Sequence, residues 1–257
     1  MWATAQSTPA RQRARRYHPD STAHPAKMLP AIAAHAITHY TRPGDLVLNP
    51  MCGIGTIIVQ ALHAGRRALG VEYEQRWANI DLAQTAGIDH DTPVFTGDAR
   101  KLSTVLPETY RGTVDLIITS PPYGDPTHGH VTTGPGKAST NATTATVPSS
   151  TAATSATSAS TAYSPASPAS SPKPRPGGHI VITARPWRQH AELVNLPAYI
   201  ITCGTPADLI PVERCVALLD HLADGDLIAL SSFFQRTSSA NNAAQASCST
   251  SSPTKTS

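Results

Sequence analysis

The sequence predicts an α/β fold: a mostly parallel, Rossmann-like sheet flanked by crossover helices, with an antiparallel strand pair near its C-terminal end. Strand patterns alternate with helix patterns along most of the chain, as they do in parallel sheets. Glycine-bearing segments, among them 53–55 and 97–98, follow several strands. Near the C-terminus, two strand-like segments are joined through Asp224-Gly225-Asp226, which predicts the antiparallel pair.

The first half of the chain contains four short apolar runs that we interpret as strands. They span residues 45–49, 67–71, 94–96 and 114–118. Helical spacing of apolar residues predicts helices that alternate with them, at residues 27–40, 56–64 and 75–86. Each helix is followed by a stop signal, namely Thr41-Arg42-Pro43-Gly44, Gly65 and Gly87.

The strand and helix patterns resume after Pro176-Gly177-Gly178. A fifth strand is predicted at residues 179–183 and a helix at 196–204. The antiparallel pair is predicted at residues 213–219 and 227–233.

Two segments consist almost entirely of Ala, Ser, Thr, Pro and Gly, and we expect them to be disordered because they bury too little apolar surface. The predicted organisation is a basic disordered arm (1–16), one domain (17–235) interrupted by an insertion at about 131–176, and a disordered tail (236–257). The insertion occupies the place of the crossover helix between the fourth and fifth strands. One face of the sheet is therefore predicted to lie partly bare.

The composition argues against several classes of protein. The chain contains no apolar run long enough for a transmembrane helix or a signal-peptide core, so we expect a cytoplasmic protein with no membrane partner. The 4 cysteines form no CxxC pair and the 11 histidines are scattered, so no metal site is predicted.

Two basic segments are candidates for contact with nucleic acid, although the net charge is only +3. The first comprises Arg11, Arg13, Arg15 and Arg16, which suit contacts with phosphate groups. The second is Arg185-Pro186-Trp187-Arg188, where the fifth strand ends. The alternatives are a solvated arm in the first case and a core-filling Trp187 in the second.

The segment Ser120-Pro121-Pro122-Tyr123 follows the fourth strand directly. It places a rigid turn at the carboxyl end of a parallel strand, where open α/β sheets bind ligands. The Ser120 hydroxyl and the Pro121 carbonyl can accept hydrogen bonds from an exocyclic NH2 group, and the Tyr123 ring can stack on a base. The alternative is a plain proline-rich turn.

Three further segments at strand ends predict a cofactor site. The loop Asn49-Pro50-Met51-Cys52-Gly53-Ile54-Gly55-Thr56 opens a helix, and its glycines allow a ligand to approach the backbone. Ile58 stands where a dinucleotide motif needs its last glycine, so an amino-acid carboxylate suits the helix start better than a pyrophosphate. Glu72 can accept hydrogen bonds from a ribose diol, and Asp98 from an adenine amino group. In this chain order, the three sites describe S-adenosylmethionine.

Three ordered motifs resemble those of the DNA amino-methyltransferases, which methylate N4 of cytosine or N6 of adenine. The motifs are His24-Pro25-Ala26-Lys27-Met28, the glycine loop 49–56, and Thr119-Ser120-Pro121-Pro122-Tyr123-Gly124. The resemblance implies a methyltransferase-type sheet, with His24, Pro25 and Met28 closing over the methionine end of S-adenosyl-L-methionine. A serine at position 120 is similar to the cytosine-N4 form, whereas the family has Asp at position 49 and often Phe at position 51.

We therefore expect methyl transfer to an exocyclic amino group of a base in DNA, cytosine N4 or adenine N6, with the base turned out of the duplex. Two alternatives stay open: a tRNA guanine-N2 methyltransferase, and a non-catalytic protein that binds cofactor or nucleic acid. A homodimer is one way to cover the bare face. Because the only long insertion is featureless, the sequence predicts either weak sequence specificity or a separate specificity partner.

Overall fold

The computed structural model describes residues 1–24, 27–89, 91–121, 174–184, 187–189, 192–204, 208–223 and 226–229. A short strand, β1 (Trp2–Ala3), precedes a central sheet of five parallel strands. These strands are β2 (Leu46–Asn49), β3 (Arg67–Glu72), β4 (Val94–Thr96), β5 (Leu116–Thr119) and β6 (His179–Ile182). Their order in the sheet is β4-β3-β2-β5-β6, which confirms the predicted Rossmann-like α/β class.

The helices alternate with these strands as predicted. They are α1 (Pro9–Arg13), α2 (Pro30–Tyr40), α3 (Thr56–His63), α4 (Gln75–Thr85), α5 (Leu102–Val105) and α6 (Leu196–Gly204), and 3-10 turns occur at Pro19–Ala23, Ala99–Lys101 and Glu108–Tyr110. Helix α2 begins three residues later than predicted, because Pro30 occupies its first turn and keeps Leu29 extended, with ψ 125°.

The central strands of the sheet are buried on both faces, whereas the edge strands β4 and β6 are half-buried or partly exposed. Val47 of β2 points to the face covered by α2 and α3, where Ile37 and Ile58 are fully buried. Leu48 points to the opposite face, toward Leu102 near the start of α5. Because neither face of β2 meets water, all four of its residues are buried, as expected of a central parallel strand.

Residues 1–16 differ from the predicted disordered arm. Strand β1 pairs in parallel with β9 (Ala217–Leu218), and the Trp2 side chain is 8% exposed. The Gln12 side chain accepts a hydrogen bond from the Ala31 amide at 2.9 Å, at the start of α2. A single buried tryptophan and one capping glutamine therefore anchor a segment that the local composition indicates to be solvated.

The C-terminal antiparallel pair forms, but not with the predicted bounds. Strands β10 (Asp220–Ala223) and β11 (Asp226–Ala229) pair with His221 opposite Ile228 and make a separate two-stranded sheet. The strands lie close to the turn because a two-residue connection fixes the register of a hairpin. Residues 217–218 of the predicted strand pair with β1 instead.

A second small hairpin joins β7 (Trp187–Gln189) to β8 (Glu192–Val194). The low-complexity insertion, the question of the crossover helix and the C-terminal tail lie outside the described residues. Within the described ranges, no helix combines the length and apolar character needed to cross a bilayer.

Candidate functional site

The strand order reverses beside β2, and this creates a crevice at the carboxyl edge of the sheet. Strand β2 lies between β3 and β5. In its pairing with β5, Val47 is opposite Leu116 and Leu48 is opposite Ile117. The carboxyl ends of β2 and β5 therefore lie side by side. The structure thus brings the start of the glycine loop and the start of the Ser120-Pro121 turn to the same crevice, as the sequence analysis requires.

The glycine loop is held by backbone hydrogen bonds on both sides. The Cys52 amide donates to the Val71 carbonyl at 2.9 Å, and the Gly55 amide donates to the Cys52 carbonyl at 2.8 Å. Gly53 and Gly55 both adopt the left-handed region, with φ of 57° and 67°. Residues with side chains rarely adopt this conformation, so the loop needs glycine at these two positions.

Asn49 and Glu72 brace this loop. The Asn49 side-chain oxygen accepts a hydrogen bond from the Met51 amide at 3.3 Å. Asn49 is thus a neutral acceptor at the position where the resemblance implies an aspartate. The Glu72 carboxylate ends β3 and accepts from the amides of Gly53, at 2.7 Å, and Glu74, at 2.9 Å. Burial raises the pKa of Glu72, against the effect of these hydrogen bonds. A carboxylate with further acceptor capacity thus lies at the expected position for a ribose diol.

His24 lies over the loop, close to Gly53. A Cβ atom on Gly53 would be 3.4 Å from His24 Nε2, and the His24 ring meets the Trp77 ring edge-on, with centroids 4.7 Å apart. Met28 packs on the core, and its carbonyl accepts from Arg13 at 2.6 Å. The motif predicted to close over the cofactor is therefore in contact with the loop at His24, whereas Pro25 lies outside the described residues.

Arg13 has a structural role that the sequence analysis does not predict. Besides Met28, its guanidinium donates to Thr56 Oγ1 at 3.0 Å, at the start of α3. It also lies over the Tyr17 ring, 4.6 Å from the centroid. These contacts correct the prediction that Arg13 is free to hold a phosphate. Arg11, Arg15 and Arg16 are exposed and stay available for that role.

Asp98 follows β4 and caps the next turn. Its carboxylate accepts from the Arg100 amide at 2.9 Å and forms a bidentate pair with the Arg100 guanidinium, which lowers the pKa of Asp98. Tyr73, beside Glu72, is 65% exposed. The structure leaves Asp98 half-buried, and the adenine contact remains a prediction.

The turn after β5 is described up to Pro121. Thr119 is fully buried, Ser120 is half-buried and Pro121 is buried. Pro122, Tyr123 and Arg185 lie outside the described residues, and for Trp187 and Arg188 the structure describes only the backbone, in β7.

Asp81 is a residue of this site that the sequence analysis missed. It lies on α4 and is fully buried, and its carboxylate oxygen Oδ2 has no partner among the described residues. Burial raises its pKa to about 7. The signal in the sequence was the spacing of Trp77, Asp81 and Gln84, which places all three on one buried face of α4.

The arrangement suits a polar ligand with a diol and a charged end. Within the described part of the chain, the buried side-chain atoms without partners are Arg13 Nη1, Asp81 Oδ2 and Thr119 Oγ1. All three belong to residues at or next to the crevice or its glycine loop. No group of three or more His, Cys, Asp or Glu side chains among the described residues could hold a metal ion.

The fold is a Rossmann-like sheet of methyltransferase topology. A glycine loop follows its strand β2, and an acidic residue, Glu72, ends strand β3. A sequence model of the DNA methylase family matches residues 1–83. The matched residues include two of the three ordered motifs, His24–Met28 and the glycine loop 49–56.

Two curated relatives are tRNA (guanine(10)-N2)-dimethyltransferases. The one from Methanocaldococcus jannaschii is 35% identical over 106 residues, which cover 39% of this chain and 30% of that protein. The one from Methanothermobacter thermautotrophicus is 35% identical over 104 residues, covering 39% and 29%. This chain thus spans less than a third of either relative. Among solved structures, TrmN from Thermus thermophilus matches with a TM-score of 0.35 at 24% identity, over 40% of this chain and 31% of that one.

Proposed function

We propose that this protein transfers a methyl group from S-adenosylmethionine to an exocyclic amino group of a nucleic-acid base. We propose further that the acceptor is the N2 amino group of a guanine in RNA. The observation that carries the methyl-transfer part is the adjacency of the glycine loop and the Ser120-Pro121 turn at one crevice. The choice of RNA is supported by the two relatives whose names specify tRNA guanine.

The cofactor site fits the residues present. Glu72 would accept hydrogen bonds from the ribose diol, Asp98 from the adenine amino group, and the N-terminus of α3 would receive the methionine carboxylate. The orphaned atoms of Arg13 and Asp81 beside this loop support a polar ligand there, since buried polar groups are normally paired. When bound, S-adenosylmethionine supplies an electrophilic methyl group on a sulfonium.

The substrate site lies at the end of β5. The Ser120 hydroxyl and the Pro121 carbonyl are acceptors, and together they can hold both hydrogens of an exocyclic NH2 group. Holding both hydrogens orients the nitrogen toward the neighbouring cofactor pocket, so that much of the catalysis is positioning. Thr119 Oγ1, which is buried and has no partner in the described part of the chain, adds a hydroxyl at this edge.

DNA is the second candidate substrate. It is favoured by the family description and by Ser120, which is similar to the cytosine-N4 form. In either case the exposed Arg11, Arg15 and Arg16 would contact phosphates. We also propose that either a second copy of the chain covers the bare face of the sheet or a separate partner supplies specificity.

The substrate is tested by incubating the protein with tritiated S-adenosylmethionine and separate pools of tRNA and duplex DNA, followed by identification of the labelled nucleoside. We expect N2-methylguanosine in tRNA. Label in DNA alone refutes the RNA proposal and supports the cytosine-N4 or adenine-N6 alternative. Cofactor binding without transfer to either pool supports a non-catalytic binding protein.

The role of the turn is tested by Ser120→Ala. This change removes one of two acceptors for the amino group, so transfer should fall by about tenfold or more while cofactor affinity is retained. Ser103→Ala is a matched control, because Ser103 is also half-buried but lies on α5. Equal loss of transfer and of cofactor affinity in the Ser120 variant would contradict the assigned role.

A further inference from the structure

A buried carboxylate lies directly behind the glycine loop. Gly55 has no room for a side chain, because an added Cβ would overlap the Asp81 carboxylate, 2.6 Å from Oδ2 and closer still to Oδ1. The Cys52 thiol of the loop lies beside the same carboxylate and lowers its pKa. Gln84 donates both to Asp81 Oδ1, at 3.5 Å, and to the carbonyl of Ile54. Asp81 thus lies against the loop at Cys52 and Gly55, and Gln84 connects it to Ile54.

The surroundings of Asp81 are otherwise acidic or neutral. Glu72 of β3 faces it with a like charge, Tyr17 of the N-terminal segment is close enough to be affected by it, and Cys52 completes the set of titratable neighbours. None of these supplies a positive charge. Burial without a cation keeps the pKa of this carboxyl near neutrality, at about 7.

We propose that ionised Asp81 is a positioning residue that holds the glycine loop in its cofactor-binding shape, so that cofactor affinity falls as the pH is lowered through neutrality. The inference rests on the proposed function, since the loop is where the cofactor is expected to bind.

Two effects act in the same direction. The Cys52 thiol and the Gln84 amide both lower the pKa of Asp81, so they favour its ionised form. Protonation weakens both interactions and loosens residues 52–55. In addition, S-adenosylmethionine carries a net positive charge, which favours a negative Asp81 nearby. Binding should therefore release a proton and lower the pKa of Asp81.

The test is calorimetric titration of the full chain with S-adenosylmethionine at pH about 6 and about 8, in buffers of different ionisation enthalpy. If binding lowers the pKa of Asp81 by about one unit from about 7, linkage gives binding about fivefold weaker at the lower pH and proton release near neutrality. Asp81→Asn should abolish both effects. Asp91→Asn, an exposed acid beyond the end of α4, should retain them.

A second variant keeps the test independent of how well the Asp81 variant folds. Cys52→Ala removes one group that lowers the pKa of Asp81, so the midpoint of the pH dependence should move upward. Cofactor affinity that is the same at both pH values in the wild type, or a pH dependence that persists in Asp81→Asn, overturns this inference and leaves the proposed function standing. Absence of cofactor binding by the wild type at either pH refutes the proposed function itself.

Discussion

Gly55→Ala separates two costs that the structure assigns to one glycine. Alanine at a φ of 67° carries the strain of the left-handed region, about 1–2 kcal/mol. The new methyl group must also displace the fully buried Asp81 carboxylate. Overpacking of this kind costs a further amount of about 1–3 kcal/mol. We expect a decrease in the free energy of unfolding of about 2–5 kcal/mol.

The chain provides a matched control for this change. Gly112 has the same φ of 67°, but nothing lies within 4 Å of an added Cβ. In urea titrations, Gly112→Ala should therefore cost only the backbone strain, about 1–2 kcal/mol. In the double variant with Asp81→Ala, the additional cost at Gly55 should largely disappear, because the colliding group is gone. Equal costs at the two glycines, or no coupling in the double variant, would refute the assigned contact.

Other predictions concern charge and hydrogen bonding. Folding raises the pKa of Asp81 from 3.8 to about 7. The free energy of unfolding of the wild type should therefore fall relative to that of Asp81→Asn, by up to about 4 kcal/mol, as the pH rises from about 4 to about 7. A difference in unfolding free energy between the two proteins that stays constant with pH in urea titrations would contradict this. Glu72→Gln should weaken cofactor binding by about tenfold or more, measured by calorimetry, because a charged acceptor is lost; an unchanged affinity argues against the diol contact. Arg13→Ala should lower the free energy of unfolding by about 1–3 kcal/mol, whereas Arg11→Ala should leave it unchanged and reduce the salt dependence of nucleic-acid binding; similar behaviour of the two variants would show that the structural role is misassigned.

The local pattern of the sequence was sufficient for the central sheet. Each of its five strands lies within two residues of its predicted bounds, because apolar runs and glycine stops are local signals. Only the pairing shows that β2 lies between β3 and β5 and places the crevice there. The C-terminal strands were displaced because strand bounds there depend on partners, one of which, β1, is more than 200 residues away in the chain.

The sequence by itself determined the family motifs and the residue types of the site: the glycine loop, Glu72, Asp98 and Ser120. These residues lie at or just after the end of a strand, or at the start of a helix, so their positions can be identified along the chain. The tertiary structure alone decided which side chains contact them. It turned Arg13 inward to Thr56 and placed Asp81 behind Gly55, because both contacts join segments far apart in sequence and depend on space that only packing creates.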